Sequence, residues 1–169
     1  MLKKIKNKDF TENVFKLIED DFFLLLAEKP DGSLNAMTAQ WGSLGHLWGH
    51  NVASVFVRPQ RYTYEFIQAG ERFSLNFFDP EKYAEMLKYM GTVSGRDEPK
   101  IELQNLTPIR GELKIPYFSE ARLVLNCRKL YADMISEAKF YDRELCEKVY
   151  PKKDFHLFVI GAIEESLAR

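Results

Sequence analysis

The sequence predicts a mainly β fold of the α+β type, a small β-barrel with short helices at its periphery. Three observations predict it. Runs of β-branched and aromatic residues recur along the chain, bounded by turn chemistry. The helical segments between them lack the regular strand–helix–strand alternation of a doubly wound sheet. Apolar residues make up 46% of 169 residues and aromatic residues 14%, enough to bury one core, so a single domain is expected over residues 1–169.

The elements follow in order. Asp9 or Thr11 can cap a short helix through Leu17. Phe22–Glu28 reads as a buried strand, and Lys29-Pro30-Asp31-Gly32 as a tight turn. A second strand runs from Leu34 to Trp41, and Val52–Val57 is a third. Gly45 and Gly49 mark the stretch between them as a loop. Pro59 suits a first helical turn, Tyr62–Ala69 continues it, and Gly70 takes the C′ position. Arg72–Phe78 returns to strand. Pro80–Met90 is helical, with Tyr83, Met86, Leu87 and Met90 on one face. Thr92–Lys100 is polar. Ala121–Ile135 is a long strand with Ala121, Leu123, Leu125 and Cys127 on one face. Tyr141–Val149 is a short helix and Phe155–Ile163 the final strand. No repeat or linker interrupts the order.

Composition also excludes partners. A net charge of −1 gives no basic field for nucleic acid or a membrane surface. Cys127 and Cys146 form no CxxC pair, so two reduced, buried thiols are expected. Met1–Phe10 is basic but is not followed by a secretory apolar core, and Phe22–Ala27 is too short to span a bilayer. A soluble cytoplasmic protein is the expectation.

The junction Arg58–Thr63 carries the most local information. A helix start offers unpaired N–H donors, and here two arginines three residues apart and the Thr63 hydroxyl join them. That set suits a phosphate monoester dianion. The competing reading is a surface helix start with solvated arginines. No P-loop or dinucleotide fingerprint is present. The segment Asn35–Trp41 combines small residues, amides and a hydroxyl with a terminal tryptophan. It can line a flat heterocycle, or it can be an amphipathic strand with Trp41 in the core. His46 and His50 lie four apart, but no third ligand accompanies them, so no metal site is expected. No Ser-His-Asp, Cys-His or paired-carboxylate arrangement stands out.

Several motifs occur in one order: Asn35-x-Met37-Thr38-x-x-Trp41, Val57-Arg58-Pro59-x-Arg61-Tyr62-Thr63-Tyr64-Glu65, Phe73-Ser74-Leu75-Asn76, Gly91-Thr92-x-Ser94-Gly95-Arg96-Asp97-x-x-Lys100, Glu120-Ala121-Arg122-Leu123-x-Leu125-x-Cys127 and Asp154-Phe155-His156-x-x-x-x-Gly161. Together they resemble the flavin reductase-like family of FMN-binding split barrels, which includes flavoredoxin and ferric reductase. The resemblance runs from about residue 9 to residue 165.

The resemblance implies a homodimeric FMN-binding split barrel with its flavin sites near the dimer interface. It implies that Asn35, Met37, Thr38, Ala39, Gln40 and Trp41 line the isoalloxazine. It implies that Arg58, Arg61, Tyr62 and Thr63 hold the phosphate, and it adds Asn76 to the cofactor set. Ser94, Gly95, Arg96 and Lys100 fall in a loop that lies near the flavin in such proteins; the alternative is a capped helix start, Ser94 to Asp97, with solvated charges. His156 matches a nicotinamide-side histidine, or is a barrel histidine satisfied by a neighbour. The implied cofactor is FMN rather than FAD.

The implied activity is hydride transfer from NAD(P)H, a small-molecule reductant, to FMN, with electrons passing on to an unidentified acceptor. A flavoredoxin-type electron carrier is the other implied class. Gly42–His50 departs from the proline-containing stretch that many flavin reductases carry there, and so leaves substrate and NAD(P)H access open.

Overall fold

A computed structural model describes residues 1–169. Ten strands and five α-helices are formed: β1 Lys3–Ile5, α1 Val14–Glu19, β2 Phe23–Glu28, β3 Leu34–Ala39, β4 Gly42–Leu47, β5 His50–Val57, α2 Thr63–Ala69, β6 Arg72–Phe77, α3 Pro80–Thr92, α4 Lys100–Leu103, β7 Pro108–Arg110, β8 Pro116–Phe118, β9 Leu123–Met134, α5 Arg143–Val149 and β10 Leu157–Ala168. No helix is long and apolar enough to cross a membrane.

One antiparallel sheet organises the chain, with strand order β3-β2-β6-β9-β10-β5-β4 and β1 added to the end of β10. β7 and β8 form a separate hairpin. The two sheet edges, β3 and β4, are consecutive in sequence yet do not pair. Only Gln40 and Trp41 separate them. The split in the sheet therefore opens at these two residues.

Both faces of the central strands are covered, which explains why they read as continuous apolar runs. Phe23, Leu25 and Ala27 of β2 face one core with Phe73, Leu75, Leu125, Val55 and Val159, closed by Leu17 of α1 and Phe66 and Ile67 of α2. The intervening Leu24 and Leu26 face a second core with Val124, Leu167, Met86, Leu87 and Met90 of α3, and Phe118 of β8. At side-chain period two, one strand serves both. Register shifts at Ile160/Gly161 and Ile163/Glu165 bend the long β9–β10 pair.

Several sequence expectations need correction. Gly42–His50 is not a loop but most of a hairpin, β4 turning into β5 through Trp48 (φ 51°) and Gly49 (φ 76°). Positive φ at both central residues is the two-residue hairpin geometry. β4 lacked a sequence signal because it is a largely exposed edge strand with two glycines. Trp41 ends outside its predicted strand, which stops at Ala39. Gly70 is extended (φ −88°), not left-handed; it is required because a Cβ there would overlap the Glu28 carbonyl oxygen. Asn13, not Asp9 or Thr11, caps α1, accepting from the Phe15 and Lys16 amides. Ala121 precedes its strand and packs in the second core, apart from Leu123, Leu125 and Cys127. β1, β7 and β8 were not anticipated at all.

Candidate functional site

The turn after β5 and the start of α2 meet the second residue of the edge strand β3. Asn35 Nδ2 donates to Thr63 Oγ1 at 2.8 Å, and both residues are buried. The loop after α3 lies against them: a Cβ at Gly95 would overlap the Asn35 amide oxygen. Only glycine allows this approach. The three segments enclose a cleft of about 180 Å³, lined by Asn35, Gln60, Arg61, Tyr62, Thr63, Thr92, Val93, Ser94, Gly95 and Lys100.

Two cations face this cleft without a carboxylate between them. Lys100 is buried, 3% exposed, and its Nζ donates to the carbonyls of Met90 (3.0 Å) and Val93 (2.9 Å) at the end of α3. Burial, and then the charge of Arg61, push its pKa down to about 8. Arg61 is half-buried and makes no side-chain hydrogen bond or ion pair; burial lowers its pKa as well. Desolvated positive charge with unused donors is the electrostatic signature of an anion site. α2 has seven residues, so side chains rather than a long helix dipole supply the field.

The other predicted residues divide. Arg96 does not line the cleft: it bonds the Glu65 carboxylate (2.6 Å) and the Gln60 carbonyl, and lies 4.7 Å from the Tyr62 ring centre. Its hydrogen bond, followed by that of Lys29, holds the Glu65 carboxyl below its usual range. Ser94 starts a turn, not a helix, and accepts from the Arg96 amide. Met37 and Ala39 are buried in the first core. Thr38 Oγ1 donates to the Leu87 carbonyl, tying β3 to α3. Asn76 and Arg58 do not line the cleft either. Asn76 is fully buried and holds β8 by accepting from the Phe118 amide at 2.9 Å. Arg58 points elsewhere, to Asp154 and the Val149 carbonyl.

At the far end of β3, Trp41 sits at the split, 44% exposed and therefore not a core residue. Its ring centre is 4.8 Å from that of His156. His156 is buried, and its Nδ1 shares a 2.9 Å hydrogen bond with the Tyr150 hydroxyl. Burial, and then Arg58, push its pKa down to about 4, so the imidazole is neutral near pH 7. Beside Trp41 opens an apolar cleft of about 600 Å³ walled by Phe56, Ile135, Phe140, Leu145 and Tyr150, with Gln40 and Glu19 at its edge. Along β3, between the two clefts, the outer backbone edge pairs with no strand. Sequence reasoning missed Tyr150, Phe56 and Phe140; they come from three separate segments, β5 and two connections, and no spacing links them. His46 and His50 flank the β4–β5 turn, and no three potential ligands gather around any point.

The flavin reductase-like domain model matches residues 21–165. The chain belongs to the flavin reductase-like domain family. No curated protein shows significant similarity to this sequence. Among solved structures, the flavoredoxin from Methanosarcina acetivorans aligns with a TM-score of 0.68 and 27% identity, covering 99% of this chain and 76% of its own. Flavoredoxin of Desulfovibrio vulgaris (Miyazaki F) has a TM-score of 0.68 at 20% identity, over 98% of this chain and 77% of its own. Nitrilotriacetate monooxygenase component B from Bacillus cereus has a TM-score of 0.66 at 20% identity, over 98% and 80%. The split-barrel fold expected of a flavin reductase-like protein is thus the observed one.

Proposed function

We propose that this flavin reductase-like domain binds FMN and acts as an NAD(P)H-dependent flavin reductase. The observation that carries the reading is the Arg61–Lys100 pair: two partly desolvated cations with no carboxylate partner, facing one cleft beside the Thr63 hydroxyl. A phosphate monoester dianion compensates both charges. From this cleft β3 runs toward Trp41 with its outer edge unpaired, so backbone N–H and C=O groups are free to meet the polar rim of a flat heterocycle. The residues present therefore fit FMN. Arg61, Lys100 and Thr63 would hold the phosphate, Asn35 would orient Thr63, and Gln40 and Trp41 would face the ring. Glu98 and Glu102 face the adjoining cavity, which disfavours a second phosphate and so favours FMN over FAD.

When bound, the flavin supplies the redox chemistry by accepting a hydride from a nicotinamide. The chain's own part is to bind, orient and exclude water. Lys100 and Arg61 anchor one end, and the wall of Trp41, Phe56 and Phe140 keeps the other end dry. His156, neutral near pH 7 and fixed by Tyr150, shapes the floor under Trp41.

A flavoredoxin-type electron carrier is the second reading. It is favoured by the match to the Methanosarcina acetivorans flavoredoxin over nearly the whole chain, and by the apolar cleft, whose lining contains no lysine or arginine for a dinucleotide phosphate. Exposed Trp48 and Tyr131, whose ring centres lie 6.4 Å apart, support a homodimer, checked by light scattering on a sizing column. Two buried free thiols support a reducing, cytoplasmic compartment.

The visible spectrum of the purified protein, with and without added FMN, tests the cofactor. A protein that stays colourless and takes up no FMN overturns the reading. Stopped-flow mixing of the FMN-loaded protein with NADH or NADPH tests the reductase: bleaching of the flavin band supports it, and no bleaching with either nucleotide leaves the carrier.

A further inference from the structure

We infer that Arg58 is a positioning residue for the aromatic end of the site rather than a phosphate ligand: it clamps the segment before β10, and through Tyr150 and His156 that segment holds Trp41.

Arg58 and Arg61 stand three residues apart, but on a turn closed by the Arg61 amide donating to the Arg58 carbonyl (3.0 Å), ahead of the first residue of α2. Their side chains leave in different directions. Arg61 enters the polar cleft. Arg58 pairs with the Asp154 carboxylate, donates to the Val149 carbonyl at 3.2 Å, and places its guanidinium carbon 5.5 Å from the Tyr150 ring centre. Gln60, on the same turn, donates to the same Asp154 oxygen at 2.9 Å. The turn after β5 thereby grips both ends of the segment that joins α5 to β10.

That segment reaches Trp41 in two steps. Tyr150 fixes the His156 ring by the 2.9 Å hydrogen bond to Nδ1, and the His156 ring lies 4.8 Å from the Trp41 ring. The Trp41 indole makes no hydrogen bond within the chain, and its residue belongs to the two-residue bridge between unpaired sheet edges. The tilted contact with the His156 ring, at an interplanar angle of 40°, is thus what orients it. Arg58 is also not free to serve an anion. Leaving Asp154 would remove the carboxylate's cation and leave Gln60 as its one side-chain donor, while its other oxygen, Oδ1, is already buried without a partner.

The inference rests on the FMN reading only for what Trp41 faces; the clamp is tested on cofactor-free protein. Arg58→Ala and Arg61→Ala are each measured by FMN titration and by nuclear magnetic resonance of the His156 imidazole and the Trp41 indole N–H. Arg61→Ala is expected to weaken FMN binding roughly tenfold or more, as loss of a charge-assisted contact does. It should leave His156 and Trp41 unmoved. Arg58→Ala is expected to hold FMN affinity within about threefold, as for a residue outside the contact set. It should raise the His156 midpoint from about 4 toward its ordinary value and shift the Trp41 resonance, since Arg58's charge lowers that midpoint.

Asp154→Asn keeps the side-chain shape and guards against misfolding of the first variant. It should move the His156 midpoint downward, because Asp154 raises it, with FMN affinity again held. Opposite shifts on removing opposite charges are not produced by general loosening. The inference is overturned if Arg58→Ala costs as much FMN affinity as Arg61→Ala, or if neither Arg58→Ala nor Asp154→Asn moves His156. Failure of the wild-type protein to bind FMN would instead strike the cofactor reading and leave the resonance tests intact.

Discussion

Arg61 and Lys100 line one cleft, and neither is paired with a carboxylate, although the chain places ion pairs on Arg58, Arg96, Arg110, Arg122 and Arg128. Charge of one sign, partly withdrawn from water, costs stability unless an anion completes it. Binding that anion should therefore stabilise the fold. FMN at saturating concentration is expected to raise the melting temperature of the wild type, and Arg61→Ala to lose most of that rise along with about 1.5–3 kcal/mol of binding. Differential scanning fluorimetry with and without FMN checks it, and an equal rise in both proteins would exclude Arg61 from the phosphate site.

Affinity for FMN should fall as pH rises through the alkaline range. The phosphate is already a dianion above its second pKa of about 6, so it adds no change there. Lys100, with its pKa pushed down to about 8, is charged at pH 7 and loses its proton first among the cleft's cations. A bound dianion favours the charged form, so the loss of affinity in the complex is centred above pH 8. Titrations at pH 7, 8.5 and 9.5 decide it; a flat profile would mean that Lys100 does not face the phosphate.

Gly95→Ala should damage both the site and the fold. The added Cβ overlaps the Asn35 amide, which holds Thr63, so Asn35 or the loop must move. The expected cost is about 1–3 kcal/mol with weakened FMN binding. Gly45→Ala serves as the control, since nothing lies within 4 Å of a Cβ there, and its change should stay within about 0.5 kcal/mol. Urea unfolding of the two variants compares them directly.

His156 should make the protein less stable as pH falls from 6.5 to 4. Its pKa is pushed from 6.5 down to about 4 in the folded state, so between those values the unfolded chain binds more protons. Stability from this residue is therefore full above pH 6.5 and is lost as pH drops through 4. His156→Gln should flatten that part of the stability–pH curve. If the two curves run parallel across the window, the neutral, buried histidine is not what the protein contains.

How much of this could be read from the amino-acid order differs element by element. The strands β2, β5, β6, β9 and β10 were legible because their residues are buried and β-branched or apolar, and α3 because its face repeats at helical spacing. β4 was not, since an exposed edge strand with glycines gains its conformation only by pairing with β5. Arg61 and Thr63 were legible as a local anion motif, and Lys100 only through resemblance to a family.

What the sequence by itself determined is the mainly β character, the continuous apolar run of β2 that is buried on both faces, and a junction after β5 whose residue types suit an anion. Local chemistry and side-chain period carry that information, because neither depends on distant residues. Tertiary structure alone decided that the sheet splits at Gln40–Trp41, that Lys100 joins Arg61 from across the chain, and that Arg58 turns away to Asp154. Those outcomes depend on which segments meet in space, and a charge three residues from another carries no sign of which partner it will find.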